Sequence, residues 1–362
     1  MTDSARNRRY TRRSKKLSKI FTFDPSQDLR WAQFLERRAD ASVFHTHGWI
    51  EALRRTYGYE PVVYTSTPPG RDLSDGLLFC RVHTWLSQRR LISVPFSDHA
   101  ACLMEDGDAV RGLFSSLEDE VAARDCRYIE IRPTGPLANL LPEIRETAQF
   151  IWHRLSLEKS PSALYSSFDK DCVQRKIRRA EREHLTYAEG HSEELLGQFY
   201  QLLLLTHRRH GVPPQPIAWF RNLIACLGSD IKIRVAYKDG IAVASIVTLT
   251  YKRSMVYKYG CSDARYHRLG GVPFLMWRAI QDAKNLSLEE FDLGRSDLDN
   301  LGLVRFKDEW DAQRSTLTYW GFPRRVRPDP DGWDVKAAKR IMANLPTFAL
   351  PTIGELLYKH MG

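Results

Sequence analysis

The sequence predicts an α+β protein of two tandem halves, each a mixed, mostly antiparallel sheet with flanking helices. Two observations carry this. Strand-like and helix-like stretches alternate along the chain, yet short turns join several strands directly into hairpins, which forces antiparallel pairing. The same order of elements also occurs twice. Asp75-Gly76 and Asp239-Gly240 each open a strand-like run and lie 164 residues apart, and Arg89 and Arg253 in the following turns keep that offset.

The elements follow in order. In the first half Leu77–Trp85 turns at Gln88-Arg89-Arg90 and continues as Leu91–Val94. A helix-like stretch, Ala109–Ala123, and a strand carrying Glu130 and Arg132 come next. Between the halves, Asp171–Glu183 puts Val173, Ile177 and Ala180 on one helical face and Arg175, Arg178 and Arg182 on another. Glu193–His210 reads as a helix with Leu195, Leu196, Phe199, Leu202 and Leu203 inward, stopped by Gly211-Val212-Pro213-Pro214. The second half repeats the first: Ile241–Thr250, a turn at Lys252-Arg253, Met255–Tyr259, a helix over Val272–Lys284, and a strand with Asp292 and Arg295. Beyond Trp320-Gly321-Phe322-Pro323 come a Pro/Arg linker and two amphipathic pieces, Val335–Asn344 and Ile353–Met361. The expected organisation is a tail at 1–20, a first domain at 21–160, a second at 161–325 carrying the donor and catalytic site, and a linker with C-terminal helices at 326–362.

Charge is unevenly placed. The net charge is +10, and residues 1–20 hold eight Lys/Arg against Asp3, which leaves the body nearly balanced. Such a tail is expected to be disordered and solvated, with charge suited to an anionic membrane surface, through residues 6–19, or to RNA. No apolar run reaches the roughly 20 residues of a membrane span, and no secretory signal follows the basic start. The six cysteines are scattered without a C-x-x-C pair, as in a reducing compartment. The expected location is cytoplasmic, with a peripheral place at the inner face of the plasma membrane open.

Several chemistries are disfavoured, because G-x-S-x-G, P-loop, H-E-x-x-H and dinucleotide glycine motifs are missing. His45, His47, His207 and His210 read as loop, core or helix-end residues, and no metal is expected. The stretch Glu290–Trp310 is the most informative. A short buried strand (Phe291, Leu293) ends at Gly294, followed by Arg295, Ser296, Asp297 and Asp299, then Arg305, Phe306 and Lys307. Clustered polar groups after a strand end are where such folds place binding and catalysis. Lys307, read as a strand-end polar residue, is expected outside the core. Upstream, Gly270-Gly271 before Pro273 sets up a helix N-terminus whose free N–H groups and dipole favour an anion. The basic helix at 171–183 is either a solvated face or a phosphate clamp.

The loop from Arg265 to Gly271 resembles the [QR]-x-x-G-x-[GA] coenzyme A loop of GNAT acyltransferases. Arg265 and Gly270 match, and Arg268 stands in place of the first glycine. Over roughly residues 20–325 the chain is similar to the FemAB family of tandem GNAT-like acyltransferases. The matching stretches are Phe44-His-Thr-His-Gly-Trp49, Pro95-Phe96-Ser97, Arg175-Lys-Ile-Arg178-Arg179-Ala180, Thr206 to Pro216, and Phe291-Asp-Leu-Gly-Arg295-Ser296 with Gly302-Leu-Val-Arg-Phe306-Lys307. The ending, Leu345-Pro346 with Gly354 and Gly362, resembles an exopolysaccharide- and exosortase-associated subgroup.

This resemblance implies transfer of an acyl or aminoacyl group to an amine on a small or lipid-linked cell-envelope precursor of polysaccharide or peptidoglycan type. The donor is an acyl thioester, acyl-CoA, or in bridge-forming relatives aminoacyl-tRNA. Lys307 and Arg178 match the relatives' lysine and arginine that serve substrate phosphates and the transition state. The lysine that bridge-forming members carry after the entry helix falls here near Leu53-Arg54, and the long helical hairpin of some tRNA-dependent members is missing. The expected catalytic residues are Lys307, Asp292 and Arg295. Arg265, Arg268, Gly270, Gly271 and Tyr259 are expected to hold the cofactor, and Arg175, Arg178, Arg179, Ser296 and Phe306 the substrate. A non-catalytic adaptor at the membrane surface is the reading from another class.

Overall fold

The computed structural model describes residues 19–83, 89–104, 107–123, 126–135, 144–323, 342, 346 and 349–361. Most of the basic tail, the Pro/Arg linker and most of the amphipathic piece at 335–344 lie outside the described residues. The first half contains β1 (Phe21–Phe23), α1 (Leu29–Arg37), α2 (His47–Tyr57), β2 (Glu60–Thr65), β3 (Leu77–Val82), β4 (Arg90–Ile92), α3 (Gly107–Ala122), β5 (Tyr128–Ile131) and β6 (Arg145–Ser156). The second begins with α4 (Pro161–Ser167), a π-helical turn (Lys170–Gln174) and α5 (Arg175–Arg182). It continues through β7 (Thr186–Gly190), α6 (Glu193–His210), α7 (Ile217–Leu227), β8 (Ile231–Lys238), β9 (Ile241–Tyr251) and β10 (Ser254–Ser262). Then come α8 (Gly271–Asn285), β11 (Glu290–Asp297), α9 (Leu301–Asp308), β12 (Gln313–Phe322) and α10 (Leu350–Met361).

Local chemistry sets many of these boundaries. Asp28, Thr46 and Ser192 accept backbone N–H groups at the starts of α1, α2 and α6. Helix α6 ends where Gly211 turns left-handed, with its N–H on the last carbonyls. The β8–β9 hairpin closes through Asp239-Gly240, both at positive φ, the geometry that matches strand twist.

The twelve strands among the described residues form one sheet in the order β1-β2-β3-β4-β5-β12-β6-β11-β10-β9-β8-β7. Read from either end, the series runs in the same sequence order within each half, so the sheet has a pseudo-twofold axis between β12 and β6. Each half gives its last strand to the other: β6 pairs with β11, and β12 pairs with β5. The boundary expected near residue 160 therefore falls just after a strand bonded into the second half's sheet. Among the described residues only β4/β5 and β10/β11 are parallel.

Both parallel pairs break off early, after Ile92/Glu130 in the first half and Val256/Asp292 in the second. Glu130 and Asp292 thus occupy equivalent register positions at the two points where the strands part. In the first half the chain itself closes the gap. Arg132 donates to the Val94 and Ser97 carbonyls, and the Ala100 N–H bonds the Arg132 carbonyl. That same loop then carries Asp98 and His99 toward the second half's gap. The largest apolar cluster runs through both halves, with the edge-on Trp49–Trp219 pair at 5.2 Å joining α2 to α7.

Candidate active site

Where β10 and β11 separate, each strand also carries an irregularity. In β10 the register shifts between Tyr257 and Tyr259, so Lys258 is the extra residue of a bulge. In β11 it shifts between Asp292 and Arg295, with Gly294 at φ 71°. Bulges re-aim side chains, and here they turn Lys258 and Arg295 toward Asp98. Lys258 Nζ donates to Asp98 Oδ2 at 3.1 Å, and Arg295 Nε lies 3.8 Å from Asp98 Oδ1. A Cβ on residue 294 would sit 3.1 Å from Asp98 Oδ2, so glycine serves both the left-handed turn and the close approach. Tyr319 from β12 donates its hydroxyl to the Asp98 carbonyl at 2.6 Å. Arg295 lies over the Phe150 ring at 4.0 Å and near Tyr319 at 5.0 Å.

Electrostatics tie these groups together. Burial pushes the Asp98 carboxyl up, but Lys258, Arg295 and Lys307 outweigh it and hold it below its usual value. Burial pulls the Lys258 ammonium down, partly offset by Asp98. Asp292 is 2% exposed and takes three donors: Trp152 Nε1 at 2.8 Å, the Gly294 N–H at 2.7 Å, and His99 Nε2 at 3.2 Å. In the first half the equivalent Glu130 is instead neutralised by Arg132 at 2.8 Å.

Lys307 departs from expectation. It sits on α9 rather than at a strand end, and at 3% exposure it is part of the core. Its Nζ donates to the Gly294 and Arg295 carbonyls at 2.9 and 2.8 Å, two acceptors freed where β11 bulges. Burial pulls its ammonium down to about 8, against the attraction of Asp98 and Asp292. Next to it Asp308 accepts from the buried His153 at 3.0 Å and pairs with Arg314, pinning the end of α9 to β6 and β12.

A cleft of about 690 Å³ opens between the start of α8, the start of β9, the end of β10, and α9, and its wall includes Phe306, the residue before Lys307. Gly270 is left-handed at φ 75° and caps α8 without a side-chain bond. A Cβ there would lie 2.5 Å from the Lys176 carbonyl, so α5 packs directly on this turn. Gly270, Gly271 and Phe306 line the cleft as expected positions, together with the cations Lys176 and Arg209. Other expected residues lie elsewhere. Arg265 is mostly exposed and clamped on Asp263 at 2.6 Å, and Arg268 is exposed outside the lining. Tyr259 turns away from the cleft, accepting from Trp219 at 2.9 Å among Phe199 and Phe220, because the bulge at Lys258 shifts the alternation of the strand. Arg175 and Arg178 line a separate open groove of about 770 Å³ with Lys170 and Arg182, whereas Arg179 faces Glu183. Ser296 is buried, its hydroxyl without a hydrogen-bond partner among the described residues.

Sequence reasoning missed Asp98, His99, Lys258 and Trp152. The one signal available was Pro95-Phe96-Ser97, the turn that precedes Asp98-His99. Nothing local says that this turn reaches into the opposite half.

Residues 170–308 match the acetyltransferase (GNAT) domain family. Among solved structures, FemX matches with a TM-score of 0.67 at 12% identity, over 90% of this chain and 100% of that one. A tandem GNAT protein from the clavulanic acid biosynthesis pathway matches with 0.52 at 12% identity, over 86% and 99%. L-PGS from Bacillus licheniformis matches with 0.52 at 12% identity, over 94% and 98%. No curated protein matches the chain in sequence. At such identities the likeness is one of fold.

Proposed function

We propose that this chain, an acyltransferase of tandem GNAT fold and FemAB-like build, moves an acyl group from an acyl thioester to an amine on a cell-envelope precursor. The observation that carries the donor side is the cleft at Gly270-Gly271. An uncapped helix N-terminus with Lys176 and Arg209 alongside offers N–H donors and positive charge to a pyrophosphate, while Val243, Val272, Pro273 and Phe306 offer an apolar wall. The bare first turn fits an acyl-CoA, and no step below depends on its detailed pose. In this reading the acceptor enters from the side of Asp98 and Arg295, and the basic groove of Arg175 and Arg178 takes its phosphates. Lys307 spends two of its three N–H donors on carbonyls, and the third is the group that supports the developing oxyanion. Catalysis then rests on holding two substrates together. The likeness to L-PGS and to FemX supports an envelope acceptor.

Calorimetry with acetyl-CoA, free coenzyme A and a charged tRNA tests the donor. The expected result is binding of the coenzyme A species at one site per chain, and transfer that survives RNase. Binding of charged tRNA alone would make the chain an aminoacyltransferase. Binding of none would leave an adaptor, and association with anionic vesicles that is lost on removing residues 1–20 would place that adaptor at a membrane.

A further inference from the structure

Asp292 is poorly placed to take a proton from a substrate, since each of its oxygens already accepts hydrogen bonds. Trp152 Nε1 and the Gly294 N–H both point at Oδ1, and His99 Nε2 lies against Oδ2. A carboxylate only accepts, so the bond at Oδ2 requires the proton of the imidazole to be on Nε2. Nδ1 is then the nitrogen with the free lone pair. That atom is buried and has no hydrogen-bond partner among the described residues. The ring is fixed edge-on to Phe44 at 5.3 Å and tilted on Trp152 at 4.6 Å, so it does not turn to find one. A buried acceptor left open inside a centre of this kind needs an explanation, and a catalytic task is one.

We infer that His99 is the proton acceptor for the attacking amine and that Asp292, held by Trp152, is the positioning residue that fixes its tautomer. The inference rests on the acyl-transfer reading above and names the group that serves it. As the amine nitrogen bonds to the acyl carbonyl carbon, its N–H proton passes to His99 Nδ1. Collapse of the tetrahedral adduct breaks the carbon–sulfur bond, and the imidazolium returns the proton to the departing thiolate, giving amide and thiol. The base thus comes from the first half and its orienting carboxylate from the second, which gives the loop at 93–100 a chemical task. Asp98 does not compete for this role, because Lys258 and Arg295 hold its carboxylate as a counter-ion.

The test is the tautomer of His99, read from imidazole 15N–1H correlations of the full chain and assigned by loss of the signal in His99→Gln. The wild type should carry its proton on Nε2. Asp292→Asn keeps the shape, and with its amide oxygen still facing Trp152 and Gly294 it presents an NH2 to His99. The proton should then move to Nδ1, the wrong tautomer. A proton on Nδ1 in the wild type, or one tautomer shared by both proteins, overturns the assignment. With acetyl-CoA and a panel of simple amines such as glucosamine and lysine, His99→Gln should lower kcat by about 10²-fold or more at unchanged KM for acetyl-CoA. Unchanged kcat overturns the role of His99. A wild type that turns over no amine while showing the Nε2–H tautomer overturns the acyl-transfer reading instead.

Discussion

Replacing Lys307 by methionine tests the buried ammonium directly. The side chain is 3% exposed, and methionine nearly conserves its volume while removing Nζ and its two bonds to the Gly294 and Arg295 carbonyls. Two effects oppose each other at neutral pH. Losing two charge-assisted hydrogen bonds costs about 1.5–3 kcal/mol each before relaxation. Against this, burial has pulled the ammonium from an ordinary value of 10.5 down to about 8, a penalty of about 3 kcal/mol that the variant no longer carries. The net change at pH 7 is thus a loss of about 0–3 kcal/mol, and its pH dependence is the diagnostic part. Between the folded value near 8 and the unfolded value of 10.5, the unfolded chain binds more protons at this site, so wild-type stability rises with pH. Raising the pH from about 7 to about 9 should stabilise the wild type relative to Lys307→Met by about 1 kcal/mol. Urea unfolding of both proteins at the two pH values measures this, because groups common to both cancel in the difference. A difference that stays flat or falls with pH refutes the account of a desolvated, titrating Lys307. The variant should also lose turnover, since the uncommitted N–H goes with the ammonium.

Gly270→Ala should lower stability by about 1–3 kcal/mol, from the left-handed backbone and the push against the Lys176 carbonyl, and should weaken coenzyme A binding in calorimetry. Normal affinity with lowered stability would detach the cleft from the donor. Asp98→Asn leaves Lys258 and Arg295 without their counter-ion, and a loss of about 3–5 kcal/mol in urea unfolding is expected. Because the carboxyl is held below its usual value, its contribution is present above the ordinary aspartate range and fades as pH falls through the lowered one. The gap between wild type and Asp98→Asn should therefore narrow in acid, and a constant gap refutes the ion-pair assignment.

Sequence reading served best where the signal is local. The hairpin turn at Asp239-Gly240 and the stop at Gly211 follow from backbone sterics, and the amphipathic helix at 171–183 follows from side-chain period. The start of α8 was legible because two glycines before a proline allow few other conformations. Lys307 was misjudged because α9 is short and its inward face meets the bulge of β11, so a polar residue finds carbonyls in the core. Tyr259 was misjudged for a related reason: one extra residue in β10 flips every side chain after it.

By itself the sequence determined the duplicated α+β pattern, the basic tail, and the strand carrying Asp292 and Arg295, since each is written in the order and spacing of neighbouring residues. Tertiary structure alone decided that the halves exchange their last strands and that Asp98 and His99 cross into the second half. The physical reason is that strand pairing and buried polar contacts join residues about 130–190 positions apart in sequence. Nothing in the local sequence around either partner records which distant group will meet it.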